Sequence, residues 1–439
     1  MFKHIIYTVL LLSLIGCGGI ANQEPGSVYF VSPMGDDSNE GTEDFPFQTI
    51  QVAVDTARAG DTVSIKSGTY KERISFNHSG TSARPIVIKN NQQDKVIIDG
   101  TQIDWDVTWG GLLDFSEVSH IHVSGLLVKN STHAGIFLDD CHHITIEDSK
   151  TDNTYSSGIG VWYSHDIHIQ KNEVSLACND GGEECISIVD SHHVTVEDNE
   201  VHHNGPGSEG GEGIDVKEGS HDVLVSHNHI HHLNKRIGLY TDPWDKHTYN
   251  ITFDGNTVHD CTNFGIAIAS EMGGLIEHVT FMNNIIYHNL DGGMAVGGWT
   301  AEGQEVSSNP IRHVTIINNT IYNNQNSDGL YIANPDVKDL KVYNNIIGNN
   351  DEKQIYIENT PLSEIDLDSN LVEGNTGEYG EKHQIVANPL FIDASRGDFH
   401  LKSNSPAINS GISNNMCLHD FDGNTRPENQ LWDIGAYEF

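Results

Sequence analysis

Gly213-Ile-Asp-Val216, Asp222-Val-Leu-Val225 and Asn228-His-Ile230 follow one another within eighteen residues, and this triplet decides the fold. In each run apolar residues alternate with polar ones, the period-2 signature of a half-buried strand. Turn formers separate the runs. None of the three can bury its apolar face alone, so the triplet has to be one unit of a stack.

The unit recurs. An Asn followed two residues later by an aliphatic appears at Asn172, Asn199, Asn228, Asn256, Asn284, Asn319 and Asn345, with spacings of 27, 29, 28, 28, 35 and 26. A small residue leading an alternating run appears at Gly135, Gly158, Cys185, Gly213, Gly238, Gly265, Gly293 and Gly329. No unit holds a sustained 3.6-residue period. Three strands per repeat predict an all-β chain, a right-handed parallel β-helix or single-stranded solenoid. The recurring Asn is expected to form an amide ladder inside it. A β-propeller would need longer, four-stranded antiparallel units. Residues 50–58 read as one amphipathic helix capping the first coil, and the turn-rich residues 386–439 as an irregular C-terminal cap.

Bulk composition agrees with a solenoid. Only 37% of the 439 residues are hydrophobic, enough for a narrow apolar stripe per repeat, and 43 glycines with many Asn, Asp and His residues imply numerous turns. The net charge of -39 is spread along the chain and excludes the basic footprint that nucleic-acid binding needs. It also repels an anionic substrate unless local basic groups or a metal offset it. Cys141, Cys178, Cys185, Cys261 and Cys417 are too few for a disulfide framework and lack zinc-ligand spacing, although Cys178 and Cys185 are close enough to pair in an oxidising compartment.

At the N-terminus, Lys3 and His4 precede an apolar run that ends in Leu14-Ile-Gly-Cys17. The run is too short for a membrane span. It resembles a bacterial lipobox, which implies cleavage after residue 16, diacylation of Cys17 and an outer-membrane lipoprotein, since Gly18 offers no retention signal. The expected organisation is a signal peptide (1–16), a lipidated tether (17–26), a β-helix with its N-terminal cap (27–385) and a C-terminal capping segment (386–439).

The runs Val31-Ser-Pro-Met-Gly-Asp-Asp-Ser-Asn-Glu-Gly-Thr42, Pro46-Phe-Gln-Thr-Ile50 and Gly60-Asp-Thr-Val63 resemble the opening of secreted β-helix polysaccharide lyases, namely the chondroitinase B/alginate lyase group and the pectate lyase L type. Asp420-Phe-Asp-Gly-Asn-Thr-Arg426 with Asp433-Ile-Gly-Ala-Tyr-Glu438 resembles the ending of bacterial surface β-helix proteins. The resemblance implies a polysaccharide substrate. It transfers no catalytic residue: the chondroitinase B-like Asn-Lys…Arg-His-Gly set is absent, Asp180-Gly-Gly-Glu-Glu184 only echoes a pectate lyase calcium cluster, and Asp242-Pro-Trp-Asp245 does not replace an epimerase Asp-Pro-His.

A site is therefore sought by stacking the coils. Aligned on the small leading residue, positions one and three point inward and positions two and four outward. Asp215 and Lys217 then share a coil, Tyr240 and Asp242 the next, and Glu271 lies just past the fourth position of the third. These five are the candidate catalytic residues. Glu184 and Glu212 sit on the rim, and with Asp215 they are candidate Ca²⁺ ligands. Trp162, Trp244 and Trp299 offer aromatic faces for a sugar. Ala267, Ala269, Ala295 and Gly297 leave room beside them. The plain alternative is a hydrated acidic stripe, with Lys217 in a surface ion pair between Asp215 and Glu218.

Two chemistries fit. In β-elimination on a uronate glycan, Lys217 with a lowered pKa is the base, Tyr240 the acid, and Ca²⁺ neutralises the substrate carboxylate. In glycoside hydrolysis, Asp242 and Glu271 or Asp215 and Asp242 suffice without a metal. The resemblance favours elimination and the net acidity slightly favours hydrolysis, so a polysaccharide lyase is the expected activity and a glycoside hydrolase the alternative. A third reading is a non-catalytic glycan-binding surface protein, and a monomer is expected under all three.

Overall fold

A computed structural model describes residues 25–103, 108–179, 182–206, 210–301, 306–377, 380–427 and 431–439. The signal segment, Cys17 and nearly all of the tether lie outside the described residues.

The chain is a right-handed parallel β-solenoid built on three long sheets. The lead sheet has 11 strands, from Ile74–Phe76 to Ile355–Ile357, and holds the strands that begin with the small residue. The middle sheet has 13 strands, from Val28–Val31 to Ile365–Asp368, and the third sheet has 13, from Gly68–Tyr70 to Ile385–Val386. Strands within these sheets pair in parallel with their counterparts one coil before and after, and those at the sheet ends pair on one side.

The inward residues form straight apolar columns. Ile214 pairs with Ile186 and Leu239, Val216 with Ile188 and Thr241, and all six are at 0% exposure. Phe253 and Phe281 stack with ring centroids 4.9 Å apart. Each such side chain contributes about 1.5–3 kcal/mol, which is how a chain of modest hydrophobicity holds together.

The turns explain the composition. His193, Asp222, Asn250, His278 and His313 occupy one bend on successive coils, with φ of 52°, 54°, 56°, 57° and 51°. Asn, Asp and His are the non-glycine residues that tolerate this left-handed region best. The next corner holds the asparagine ladder. Each amide from Asn172 to Asn345 donates to the next Asn Oδ1 at 2.9–3.0 Å and is almost fully buried. The ladder runs one rung further than its spacing had marked, to Asn370, where Glu381 Oε1 accepts from Asn370 N at 2.8 Å and from its Nδ2 at 2.9 Å.

Helix α1 (Ile50–Thr56) covers the first coil and buries Ile50, Ala53 and Val54 in the core. Thr49 Oγ1 accepts from Val52 N, and the Glu72 carboxylate accepts from Ile50 N and Gln51 N, so the orphan N–H groups of its first turn have partners. The irregular C-terminal segment packs Phe391 and Phe399 against Ile285, Ile346 and Leu371, on the outward side of the third sheet. Asp420 closes a local turn, Oδ1 accepting from Asn424 N at 2.7 Å and Oδ2 from Glu438 N at 2.9 Å.

Candidate active site

The lead sheet sets the rows. Ser187, Asp215, Tyr240, Ala267 and Ala295 stand side by side on successive coils, as do Val189, Lys217 and Asp242. This is the alignment expected from the leading small residues, with Asp215 and Tyr240 on the opposite strand face from the core columns.

Outward does not mean exposed. Asp215 is 3% exposed, Tyr240 6%, Asp242 4% and Glu184 4%, so the cluster is desolvated and the alternative of a hydrated acidic stripe does not hold. Residues around Gly182, Gly210, Arg236 and Glu271 line the cleft of about 300 Å³ in which these groups meet. Lys217 is not in a surface pair. Its Nζ lies 2.6 Å from Glu184 Oε1 and 4.0 Å from Glu183 Oε2, while Glu184 Oε2 accepts from Ser187 Oγ at 2.8 Å. Burial pulls the Lys217 ammonium down, but the charges of Glu184, Asp215 and Glu183 outweigh it and hold it well above its ordinary range. The lowered pKa expected of a catalytic lysine base is the opposite of what these carboxylates impose.

Carboxyls outnumber cations here. Burial, then the charge of Glu184, pushes Asp215 well above the carboxylate range, and its buried Oδ1 has no hydrogen-bond partner. Burial and Glu184 likewise raise Glu212 to about 7, although Arg236 lies 3.9 Å from it. Burial and Glu184 raise Glu183 to about 7. Burial, followed by the charge of Glu271, lifts Asp242 to about 7.

Asp242, Tyr240 and Glu271 form one connected unit. Asp242 Oδ1 accepts from Trp244 N at 3.0 Å and from Glu271 N at 3.2 Å. Tyr240 donates its hydroxyl hydrogen to Glu271 Oε1, and Trp299 Nε1 donates to Tyr240 Oη at 3.3 Å. Burial, Asp242 and Glu271 keep the Tyr240 phenol protonated, well above its ordinary range.

The tryptophans divide. Trp244 lines the acidic cleft. Trp299 closes its far side: the ring lies on Gly297, where an added Cβ would meet it at 2.1 Å. The space expected above Ala267, Ala269 and Ala295 is filled by Tyr240 and Trp299 rather than open to a ligand. Trp162 does not flank the acidic cluster. It stands two coils before Lys217 and lines a second cleft of about 350 Å³, with Trp109 at 4.9 Å and Phe137 at 5.2 Å between ring centroids. Glu183 and Gly182 border that cleft, and Gly182 also borders the acidic one. Glu183, Arg236, Trp109 and Phe137 are the site neighbours that coil alignment missed. Phe137 stands in the row of Gly160, Ser187 and Asp215, and its contribution is the ring contact with Trp162 on the next coil. All five described internal cysteines are free thiols, so the Cys178/Cys185 pairing is not formed.

The raised carboxyls predict a pH effect on stability. A carboxyl whose folded pKa exceeds its unfolded value stabilises the fold below the unfolded pKa, and that contribution is lost as pH rises through the folded one. For Glu183, Glu212 and Asp242 the window runs from the ordinary carboxylate range to about 7. The urea midpoint is expected to be higher near pH 5 than near pH 8. Asp215→Asn, which removes a buried charge beside Glu184, is expected to raise the midpoint at pH 8. A flat or rising profile would contradict the buried cluster.

Residues 29–180 match the family described as "Pel9A-like, right handed beta helix region", and residues 218–309 the family described as "Right handed beta helix region". The first match ends before Glu184, and the second includes Tyr240, Asp242 and Glu271. YwoF, an uncharacterized protein of Bacillus subtilis (strain 168), is 33% identical over 153 residues, 33% of this chain and 33% of that protein. Pectate lyase PEL9 of Emericella nidulans is 33% identical over 140 residues, 29% of this chain and 34% of that protein. The chain thus spans about a third of the length of the curated relatives it matches. Similar solved structures include XylC in complex with xylose (TM-score 0.66, 14% identity, 94% of this chain and 98% of that one). Pectate lyase Pel9A follows at TM-score 0.57 and 16% identity, covering 95% and 97%. These likenesses show the fold.

Proposed function

We propose that this chain is a carbohydrate-active enzyme of the bacterial envelope, held at the outer membrane by Cys17, that hydrolyses a glycosidic bond. Asp242 is the general acid and Glu271 the partner carboxylate. The observation that carries this reading is the connected unit of Asp242, Tyr240 and Glu271: two carboxyls on neighbouring coils, placed in different surroundings. Asp242, lifted to about 7, still carries its proton in a large share of molecules at neutral pH and can give it to the leaving oxygen. Glu271 receives the Tyr240 hydroxyl, which orients its carboxylate to attack the anomeric carbon or to activate water. The unpartnered Asp215 Oδ1 is an acceptor for a sugar hydroxyl. Trp244 offers a face for the pyranose ring, and the Trp109/Trp162 cleft a place for a further sugar along the solenoid axis. A cleft with more carboxyls than cations favours an uncharged glycan over a polyuronate.

The second reading is β-elimination, favoured by the Pel9A-like match over residues 29–180. The carboxylates of Glu184, Glu212 and Asp215 are a hard oxygen donor set that fits Ca²⁺, with Asp215 Oδ1 still unpartnered. When bound, such an ion would neutralise a uronate carboxylate. Lys217, however, has to be neutral to act as base, and Glu184 holds it charged.

The test is a panel of neutral and uronate polysaccharides, assayed with Ca²⁺ or chelator. New reducing ends without an ultraviolet-absorbing unsaturated product, unaffected by chelator, are expected. Unsaturated products abolished by chelator would replace hydrolysis with elimination. No product from any glycan would leave a binding protein.

A further inference from the structure

The outward face of the third sheet carries a group of imidazoles that has no part in the acidic cleft. Register places Glu200, His229 and Thr257 in one row and His202, His231 and His259 in the next. Between them, Ile230 and Val258 point into the core at 0% exposure, so both rows face away from it. The rings of His202, His231 and His259 stack at centroid separations of 5.1 and 5.3 Å. His229 leans across them, 4.5 Å from His231 and 5.0 Å from His259. One ligand atom each from Glu200, His229 and His231 lies within 4.8 Å of the other two, and His231 Nε2 stands 3.1 Å from Glu200 Oε1.

Hydrogen bonding orders the tautomers, and His231 donates its Nε2–H to Glu200 Oε1, a proton that a bound cation displaces. Asp260 Oδ2 lies 2.6 Å from His259 Nδ1. An ionised carboxylate only accepts, so Nδ1 carries the proton and Nε2 the lone pair. His259 Nε2 lies 2.7 Å from His229 Nε2, and that contact is a hydrogen bond only with His229 as donor. His229 therefore carries its proton on Nε2 and its lone pair on Nδ1. An imidazole whose far N–H is chained to a carboxylate is oriented as metal-ligating histidines are.

The geometry points to a divalent transition-metal site of the Zn²⁺ class on this face, held by Glu200, His229 and His231, with His259 and Asp260 orienting His229. Two imidazoles and one carboxylate suit Zn²⁺, whereas Ca²⁺ and Mg²⁺ take oxygen ligands. Glu200 belongs to the strand Glu200–His202 and the histidines to His229–His231 on the next coil. An ion here ties two coils together and raises the stability of the folded stack.

Titration calorimetry of the full chain with ZnCl₂ after chelator treatment tests this, together with thermal melts with and without the ion. His229→Ala and His231→Ala are each expected to remove a binding site and the Zn²⁺-dependent rise in melting temperature. Asp260→Asn is expected to weaken binding about 10- to 100-fold. His313→Ala, in the separate cluster of Glu277, His278 and His313, is expected to leave this site intact. Metal-free melts matching the parent separate lost ligation from lost folding, and His229→Gln serves if the alanine variant melts early. Absence of Zn²⁺ binding, binding unchanged by His229→Ala, or binding abolished by His313→Ala would overturn the proposal. The outcome is independent of the hydrolytic reading, because Asp242→Asn leaves all of these ligands in place.

Discussion

Asp242→Asn is expected to lower kcat on a natural glycan by about 10²–10⁴-fold, with KM little changed. That is about 3–5 kcal/mol of transition-state stabilisation. Asparagine is close to isosteric and keeps an oxygen for the Trp244 and Glu271 N–H groups, so the loss is of the proton and not of the loop. The pH profile gives a second readout. Burial and the charge of Glu271 raise Asp242 to about 7, so activity falls as pH rises through that value while the acid loses its proton. The alkaline limb should be absent from the variant's residual activity. A third readout separates the two carboxyls. An aryl glycoside, whose leaving group needs little protonation, should restore much of the rate to Asp242→Asn and none to Glu271→Gln. Rescue of Glu271→Gln instead would exchange the roles. Full activity in both variants would remove the site.

The solenoid was legible because its signals are local. Strand alternation, the small leading residue and the ladder asparagine all recur within one coil, and parallel stacking turns that period directly into register. Hence the rows holding Asp215 and Tyr240, or Lys217 and Asp242, could be written down before any coordinates. What was not legible is what covers those rows. Lys217 meets Glu184 33 positions away, and Tyr240 meets Trp299 59 positions away, through loops that follow no period. Burial and pKa follow from those loops, so neither the depth of these rows nor the protonation of Lys217 is written in the period. A second amide ladder runs beside the first. Asn289, Asn324 and Asn350 each follow a ladder asparagine by five residues, and they bond in the same way at 3.0 Å.

Asn284→Ala is expected to destabilise the chain by about 3–5 kcal/mol, since at least two buried polar groups lose their partners at about 1–3 kcal/mol each. Asn284 Oδ1 accepts from Asn256 N at 3.0 Å and from Asn256 Nδ2 at 2.9 Å. Its Nδ2 donates to Phe253 O and to Asn319 Oδ1, both at 2.9 Å. At 0% exposure, none of these groups turns to bulk water when the side chain is cut. Asn349→Ala is the comparator. Its amide bonds Asn323 Oδ1 at 2.9 Å on the exposed side of a turn, and alanine is strained at its φ of 53°, so its loss should stay within about 1–2 kcal/mol. Asn284→Asp tests the donor half alone. It keeps the acceptor for Asn256 but sets a carboxylate oxygen against Phe253 O, and should cost at least as much as alanine. Urea unfolding followed by circular dichroism reads all three, provided the slope is compared as well as the midpoint. A stack of repeats that loses one rung can part at that coil, which would appear as a smaller slope. If Asn284→Ala unfolds at the same urea concentration as Asn349→Ala, the ladder is not what holds the coils in register. The spacing that brings Asp242 beside Glu271 would then rest on the apolar columns alone.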